Sequence, residues 1–194
     1  MAARKSFRAA PKVVFYQVHF REGTGVVLMR AVPAGDKSDM VAQYMTENTG
    51  MAFDPGMFVA FAVLNDNDEF VAGVVITNYR DWDCEISCAS ETPTAWRPEV
   101  CNVIFSYIFE QLHCVRCTSS TTRGNKRARG FLEALGFQLE GKLRRAYDGT
   151  RDALVYGLLA GDCRFLAGGL SGKINTEGTD AARSSSDGSS PSAG

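Results

Sequence analysis

The stretch Asn125 to Phe137, NKRARGFLEALGF, constrains the fold of this 194-residue chain more than any other segment. Ala128, Phe131, Leu132 and Leu135 recur at helical spacing, which predicts a helix with one apolar face over 124–135. Gly136 falls just past the last of these positions, where a left-handed residue ends a helix. Phe137 then begins a strand, so this helix must pack against a sheet. Asn125 suits the N-cap. The Asn, Lys and Arg at the helix start suit an anionic ligand, because free N–H groups and the helix dipole favour negative charge there.

The rest of the chain reads as strands and helices in alternation. Residues 13–20 and 26–32 alternate as strands, and Asp36 or Ser38 starts a helix that runs to about Asn48 and stops at Gly50. Residues 57–64 and 69–78 form a hairpin around Asn65-Asp-Asn-Asp68, and Cys84–Ser90 follows as another strand. Pro98 and Glu99 fit the first turn of a helix that carries Val103, Ile104, Tyr107 and Ile108 to His113. A strand over 114–120 precedes the 124–135 helix, and 137–147 and 152–159 pair around Asp148-Gly149. This order predicts an α/β chain in which a central mixed, mostly antiparallel sheet carries helices on both faces. The expected organisation is a flexible arm over 1–12, one domain over 13–161, and a disordered Ser/Gly-rich tail over 162–194.

Charge narrows the partners. Residues 114–151 hold nine basic side chains against Glu133, Glu140 and Asp148, although the whole chain has a net charge of −1. A basic half in an acidic chain points to a localised anion site rather than a global field. The aromatic interleaving that stacks bases is missing from this stretch, so a nucleic-acid partner is not expected. No run reaches the roughly 18–20 apolar residues of a membrane span, and the N-terminal MAARKSFRAAPK has no apolar centre, so a cytoplasmic protein is expected. Six cysteines fall mainly in apolar runs and read as reduced, buried thiols. His113-Cys114-x-x-Cys117 lacks a second ligand pair, and on one strand the two thiols would face opposite ways, so no metal site is expected.

The 125–137 segment also resembles the closing motif of the GNAT superfamily of N-acetyltransferases, N-x-x-A-x-x-L-Y-E-K-x-G-F. Asn125, Ala128, Glu133, Gly136 and Phe137 match it in register. Residues 140–159 resemble the EG-x-L-R … D-x-x-x-Y-x-L ending of the Rim-type branch, which acetylates protein N-termini, and the resemblance spans about residues 56–160. It implies the GNAT fold, acetyl-CoA as the acyl donor and a primary amine as acceptor, on a protein N-terminus or a small molecule.

Residue by residue, the resemblance implies a cofactor-binding loop at Ala95, Trp96 and Arg97. It also implies a bulged strand N–H near Cys88, Ala89 or Ser90 for the thioester oxygen, with Asn125 and Arg127 on the cofactor arm and its phosphates. Arg97 and Arg127 also read as solvated surface arginines, and Asn125 as an N-cap alone. Glu85 is the candidate catalytic base. It shares a strand face with Ser87 and Ala89, and a lone carboxylate in an uncharged strand is either functional or paired with an Arg.

Two departures stand out. Leu132 replaces the family's Tyr, often its general acid, and the loop Thr94–Val100 lacks the family's Q/R-x-x-G-x-G/A glycines. Tyr147 is either a substitute acid or a packing aromatic. The alternative reading is therefore a catalytically degenerate GNAT-fold binding or structural protein, similar to bacteriophage-encoded members that serve in a particle.

Overall fold

The computed structural model describes residues 29–166. The strand expected over 13–20, the first residues of the next one, the 1–12 arm and most of the C-terminal tail lie outside the described residues. Within them the chain runs β1 (Arg30–Pro33), α1 (Ser38–Thr49), β2 (Val59–Leu64), β3 (Phe70–Thr77), β4 (Asp83–Ser90), α2 (Pro98–Ser106), β5 (Arg116–Thr122), α3 (Lys126–Leu135), β6 (Gln138–Leu143) and β7 (Ala153–Leu159). The seven strands form one sheet in the order β1-β2-β3-β4-β5-β7-β6. Every neighbouring pair is antiparallel except β4 with β5. No helix among the described residues is long and apolar enough to cross a membrane.

The continuous apolar runs of β2 and β3 follow from helices on both faces, since strands buried on two sides cannot alternate apolar with polar. On one face Ala60, Ala62 and Val75 pack against Val41 and Met45 of α1. On the other, Phe61, Val63, Val74 and Ile76 share a core with Val100, Ile104 and Phe105 of α2 and Leu132 of α3. Gly73 sets how closely α1 approaches. A Cβ there would stand 3.1 Å from Val41 Cγ1, 3.2 Å from Tyr44 Cδ1 and 3.3 Å from Met45 Cγ.

Local chemistry ends each element as expected. Asn65 Oδ1 accepts from the N–H of Asn67 at 3.0 Å and of Glu69 at 2.9 Å, closing the β2–β3 turn. Gly50 and Gly136 take left-handed backbones at the ends of α1 and α3. Arg116 on β5 reaches Glu140 on β6 at 2.8 Å, across Gly157 of β7, where a Cβ would fall 2.2 Å from Glu140 Oε1. That glycine makes room for an ion pair that ties three strands together.

Two expectations change. α2 loosens into a π-helical turn over Tyr107–Gln111, and His113 then takes a left-handed φ of 57°. β5 therefore begins only at Arg116, and Cys114 precedes it. Cys114 and Cys117 do not face opposite ways but share one core with Cys84. At the other end, the packed region passes the boundary expected at 161. Cys163 is fully buried, and the Phe165 ring stacks on Phe105 of α2 at 5.7 Å.

Gly73→Val should lower the unfolding free energy by about 1–3 kcal/mol through overpacking beneath α1. Gly141→Val, on the outer strand with nothing within 4 Å of its Cβ, should change it by less than about 0.5 kcal/mol. Chemical denaturation of both variants checks this, and equal midpoints would rule out the close α1–β3 seat.

Candidate active site

The site begins where the one parallel pairing among the described strands stops. β4 and β5 pair at just three positions, Asp83 with Arg116, Cys84 with Cys117 and Glu85 with Thr118. Beyond these, β4 continues with β3 as far as Ser90, and β5 continues with β7 as far as Thr122. Each strand is thus held on its outer side while the inner edges separate. The Ser119 hydroxyl donates to the Ile86 carbonyl at 3.0 Å and closes the apex.

A cleft of about 580 Å³ opens from there. β4 contributes Ser87, Cys88, Ala89 and Ser90 to it, and β5 contributes Ser119, Ser120 and Thr121. α3 supplies Asn125, Arg127, Ala128, Phe131 and Leu132, and the loop before α2 supplies Pro93 and Trp96. Asn48, Thr49 and Met51 at the end of α1, with Tyr147 from the β6–β7 turn, complete the lining. Among the described residues, Arg127 is its one charged member, and no carboxylate belongs to it.

The bared edge of β4 carries hydrogen-bonding capacity. Glu91 N donates to Val71 O at 3.2 Å, so the alternating antiparallel ladder turns residues 85, 87 and 89 toward β3. Residues 86, 88 and 90 then turn toward β5. Ile86 O meets Ser119 there, whereas the Cys88 and Ser90 amides face the open part.

A sheet of this order, split at its parallel pair, has a counterpart in known proteins. The model of the acetyltransferase (GNAT) domain matches residues 19–138. The chain belongs to the GNAT acetyltransferase family. No curated protein matches it. Among solved structures, it is similar to the spermidine N-acetyltransferase SpeG of Vibrio cholerae, at 17% identity over 70% of this chain and 95% of that one, with a TM-score of 0.54. It is also similar to a probable acetyltransferase, at 18% identity over 71% and 94%, TM-score 0.53. RimJ of Mycobacterium smegmatis in complex with CoA-disulfide aligns at 21% identity over 55% of each chain, TM-score 0.46. At such identities the likeness is one of fold.

Measured against this GNAT cleft, six of the sequence candidates come together in its lining: Cys88, Ala89, Ser90, Trp96, Asn125 and Arg127. Three do not reach it. Ala95 is fully buried beneath the loop, its N–H bonded to Thr92 O. Arg97 sits at the N-cap of α2 with an extended backbone, its Nε buried and without a hydrogen-bond partner among the described residues. Glu85 lies at the last paired position, just below the apex, on the strand face of Ser87. It has no hydrogen bond or ion pair among the described residues, whereas Asp83 accepts from Thr118 at 3.0 Å and lies 3.5 Å from Arg116.

Other assignments are refined. β4 keeps unbroken register with β3 from Glu85 to Ser90, so the expected bulge is absent and the splay alone bares the strand edge. Asn125 does cap α3, its Oδ1 accepting from Ala128 N at 3.0 Å. The Trp96 indole donates to Ser90 Oγ at 2.9 Å and its ring meets Phe131 at 5.3 Å, bracing the end of β4 against α3. Burial pushes the Cys88 thiol up to about 12, so it stays protonated at neutral pH and is not a nucleophile. The residues missed by sequence reading are Asn48, Thr49, Met51 and Ser119–Thr121. The unusual run of hydroxyl residues over 118–122 was the available signal for a strand losing a neighbour.

The turn that carries Tyr147 is firmly stapled. Asp148 accepts from the N–H groups of Arg151 and Thr150 and from both side chains, and the Arg151 guanidinium lies 5.0 Å from the Tyr147 ring. These donors, the Arg151 N–H foremost, hold the Asp148 carboxyl well below the usual carboxylate range, and the Arg145 N–H lowers the Asp152 carboxyl. A depressed folded-state pKa stabilises above the unfolded value and is lost as pH falls through the folded one. The Thr150 and Arg151 amide resonances should therefore keep their positions through pH 5–4, where ordinary carboxylates begin to protonate, and move only in stronger acid. Asp148→Asn should shift them at neutral pH, and resonances that titrate near pH 4 would contradict the stapled turn.

Proposed function

We propose that the protein is an acetyl-CoA-dependent N-acetyltransferase that moves an acetyl group to a primary amine by direct attack on the thioester. The carrying observation is the separation of β4 from β5 after three paired residues, which leaves strand amides facing a cleft. The donor fits what is present. A narrow strand-lined slot suits an extended amide-bearing arm, and the N-terminal ends of α2 and α3 suit phosphate. The buried, unpartnered Arg97 Nε suits an anion as well. Pro98 removes one N–H at α2, which makes the arginine side chain the more important partner.

The bound thioester supplies an activated acetyl carbon. The Cys88 N–H, on the open edge, is the donor best set to take up negative charge on the acyl oxygen. Asn125 keeps its Nδ2 hydrogens for the donor's arm, because only Oδ1 is used in the cap. Glu85 lies two strand positions from Ser87, about 7 Å along the strand, so it takes the amine proton through a water. The amine nitrogen then bonds to the acyl carbon as the carbon–sulfur bond breaks. The leaving thiolate needs little help, since a thiol ionises near 8.5. Leu132, 4% exposed, packs in the core where the family motif has Tyr, and slower turnover follows.

That substitution also favours a second reading, a GNAT-fold binding protein without catalysis, and one pair of measurements separates the two. Acetyl-CoA at a hundredfold excess over Kd should stabilise the fold by about 2.7 kcal/mol, raising Tm by on the order of 5–10 °C. Glu85→Gln should keep that rise while amine-dependent thiol release drops by roughly 10²–10⁴-fold. No rise with the wild-type chain would overturn cofactor binding. A rise without thiol release from any amine would leave only the binding protein, and loss of the rise in Glu85→Gln would make Glu85 structural.

A further inference from the structure

The acceptor end of the cleft has a charge pattern that the acetyl donor does not explain. Among the described residues its lining holds no carboxylate, and Glu85, committed to the reacting amine, lies below the apex. Asn48, Thr49 and Ser120 offer only neutral hydrogen-bonding groups.

Arg97, Lys126 and Arg129 adjoin lining residues on the α2 and α3 side, and a further group of cations belongs to the β6–β7 turn. Leu143 pairs with Ala153, and Ala153 with Thr122 at the end of β5, so the turn stands at the open end of the cleft. Tyr147 reaches the lining from that turn. Four of the turn's neighbouring charges cancel in pairs: Lys142 with Asp152 at 3.3 Å, and Arg151 with Asp148 at 2.7 Å. Arg144 and Arg145 remain, both exposed and without an ion-pair partner among the described residues.

Arg145 is held in place at a cost. Its φ of 55° is a left-handed backbone that a non-glycine residue adopts reluctantly, and the Asp152 carboxylate fixes it by accepting the Arg145 N–H at 2.9 Å. Two uncancelled guanidiniums on a stapled turn beside a carboxylate-free cleft repel polycations and attract amines that carry acid groups.

We infer that the acceptor is an amine with an anionic group close by, held over the cleft by Arg144 and Arg145. This rests on the acetyltransferase reading above and names the class of substrate for the same site.

The test uses the full chain, acetyl-CoA and three peptides with free N-termini, Ser-Asp-Asp, Ser-Asn-Asn and Ser-Lys-Lys, with a linear polyamine as a fourth acceptor. Thiol release should favour the acidic peptide over the neutral one by about tenfold in kcat/KM, since each exposed pair is worth a few-fold, and the gap should shrink as salt rises. The lysine peptide and the polyamine should be poorest. Binding of fluorophore-labelled peptides to the CoA-bound protein, read by anisotropy, should give the same order without turnover. Arg144→Gln with Arg145→Gln should reduce the acidic preference to within about twofold in both readouts, while the Tm rise with acetyl-CoA persists. A Tm rise together with equal use of all peptides, or preference for the lysine peptide or the polyamine, would overturn the inference and leave the transferase standing. No Tm rise and no release from any acceptor would remove both.

Discussion

The short pairing of β4 with β5 is the constraint from which the rest of the structure follows. A strand has two edges, and each edge can satisfy one neighbour. β4 is committed to β3 from Glu85 to Ser90 and β5 to β7 over its full length, so the junction between the two halves of the sheet absorbs any mismatch in direction. Three residue pairs and one serine-to-carbonyl bond hold that junction. Further pairing would erase the cleft. Less would leave the sheet as two pieces joined only through helices. Because α2 and α3 share one core across the split, the halves stay in register although their strands part.

The departures from the family motifs fall where packing compensates. A glycine-rich loop lets the backbone close on a phosphate, but it is costly in entropy and gives little to pack. Here the same loop buries Ala95, braces β4 through the Trp96 indole, and starts α2 at a proline whose missing N–H costs the helix nothing. The rigidity gained is that of a side-chain-built rim. Leu132 follows the same logic, with a motif position turned over to core. The chemistry tolerates this better than loss of the strand edge, because a thiolate is an adequate leaving group whereas charge on an acyl oxygen in a dry cleft needs a donor.

Much of this was legible in the sequence, and what escaped had a physical reason. The 125–137 segment declared its cap, its apolar face and its stop, and each is found at the stated residue. The β2–β3 hairpin was plain from an Asn-Asp turn between two apolar runs. The splay was not readable, because it depends on which strand pairs with which, and pairing is a property of the sheet rather than of any one segment. For the same reason Asn48, Thr49 and Met51, distant in sequence, gave no sign that they meet Ser87 and Ser90. The expected bulge came from the resemblance, not from β4 itself, and the unbroken register of β4 with β3 shows that an open edge can arise without one. Ala95 was carried to the cleft by its position in a loop, and small side chains in loops are often drawn into the core, as this one is.

The basic surplus over 114–151, a single number in the sequence, resolves into distinct roles in the fold. Arg116 is spent on Glu140 and Asp83 beneath the apex, and Arg129 bonds Tyr156 Oη and the Arg123 carbonyl. Lys142 and Arg151 answer Asp152 and Asp148. Among the described residues, the cations of this stretch without an ion pair stand in two groups, Arg123, Lys126, Arg127 and Arg129 at the start of α3, and Arg144 and Arg145 on the β6–β7 turn. A continuous polyanion would be served by a connected stripe. Two separate groups at one hydroxyl-rich cleft whose described lining has no carboxylate are better matched to two small ligands that each bring their own negative charge. A net charge near zero is therefore no measure of how strongly this surface can discriminate, because the discrimination lies in which charges have been left without partners.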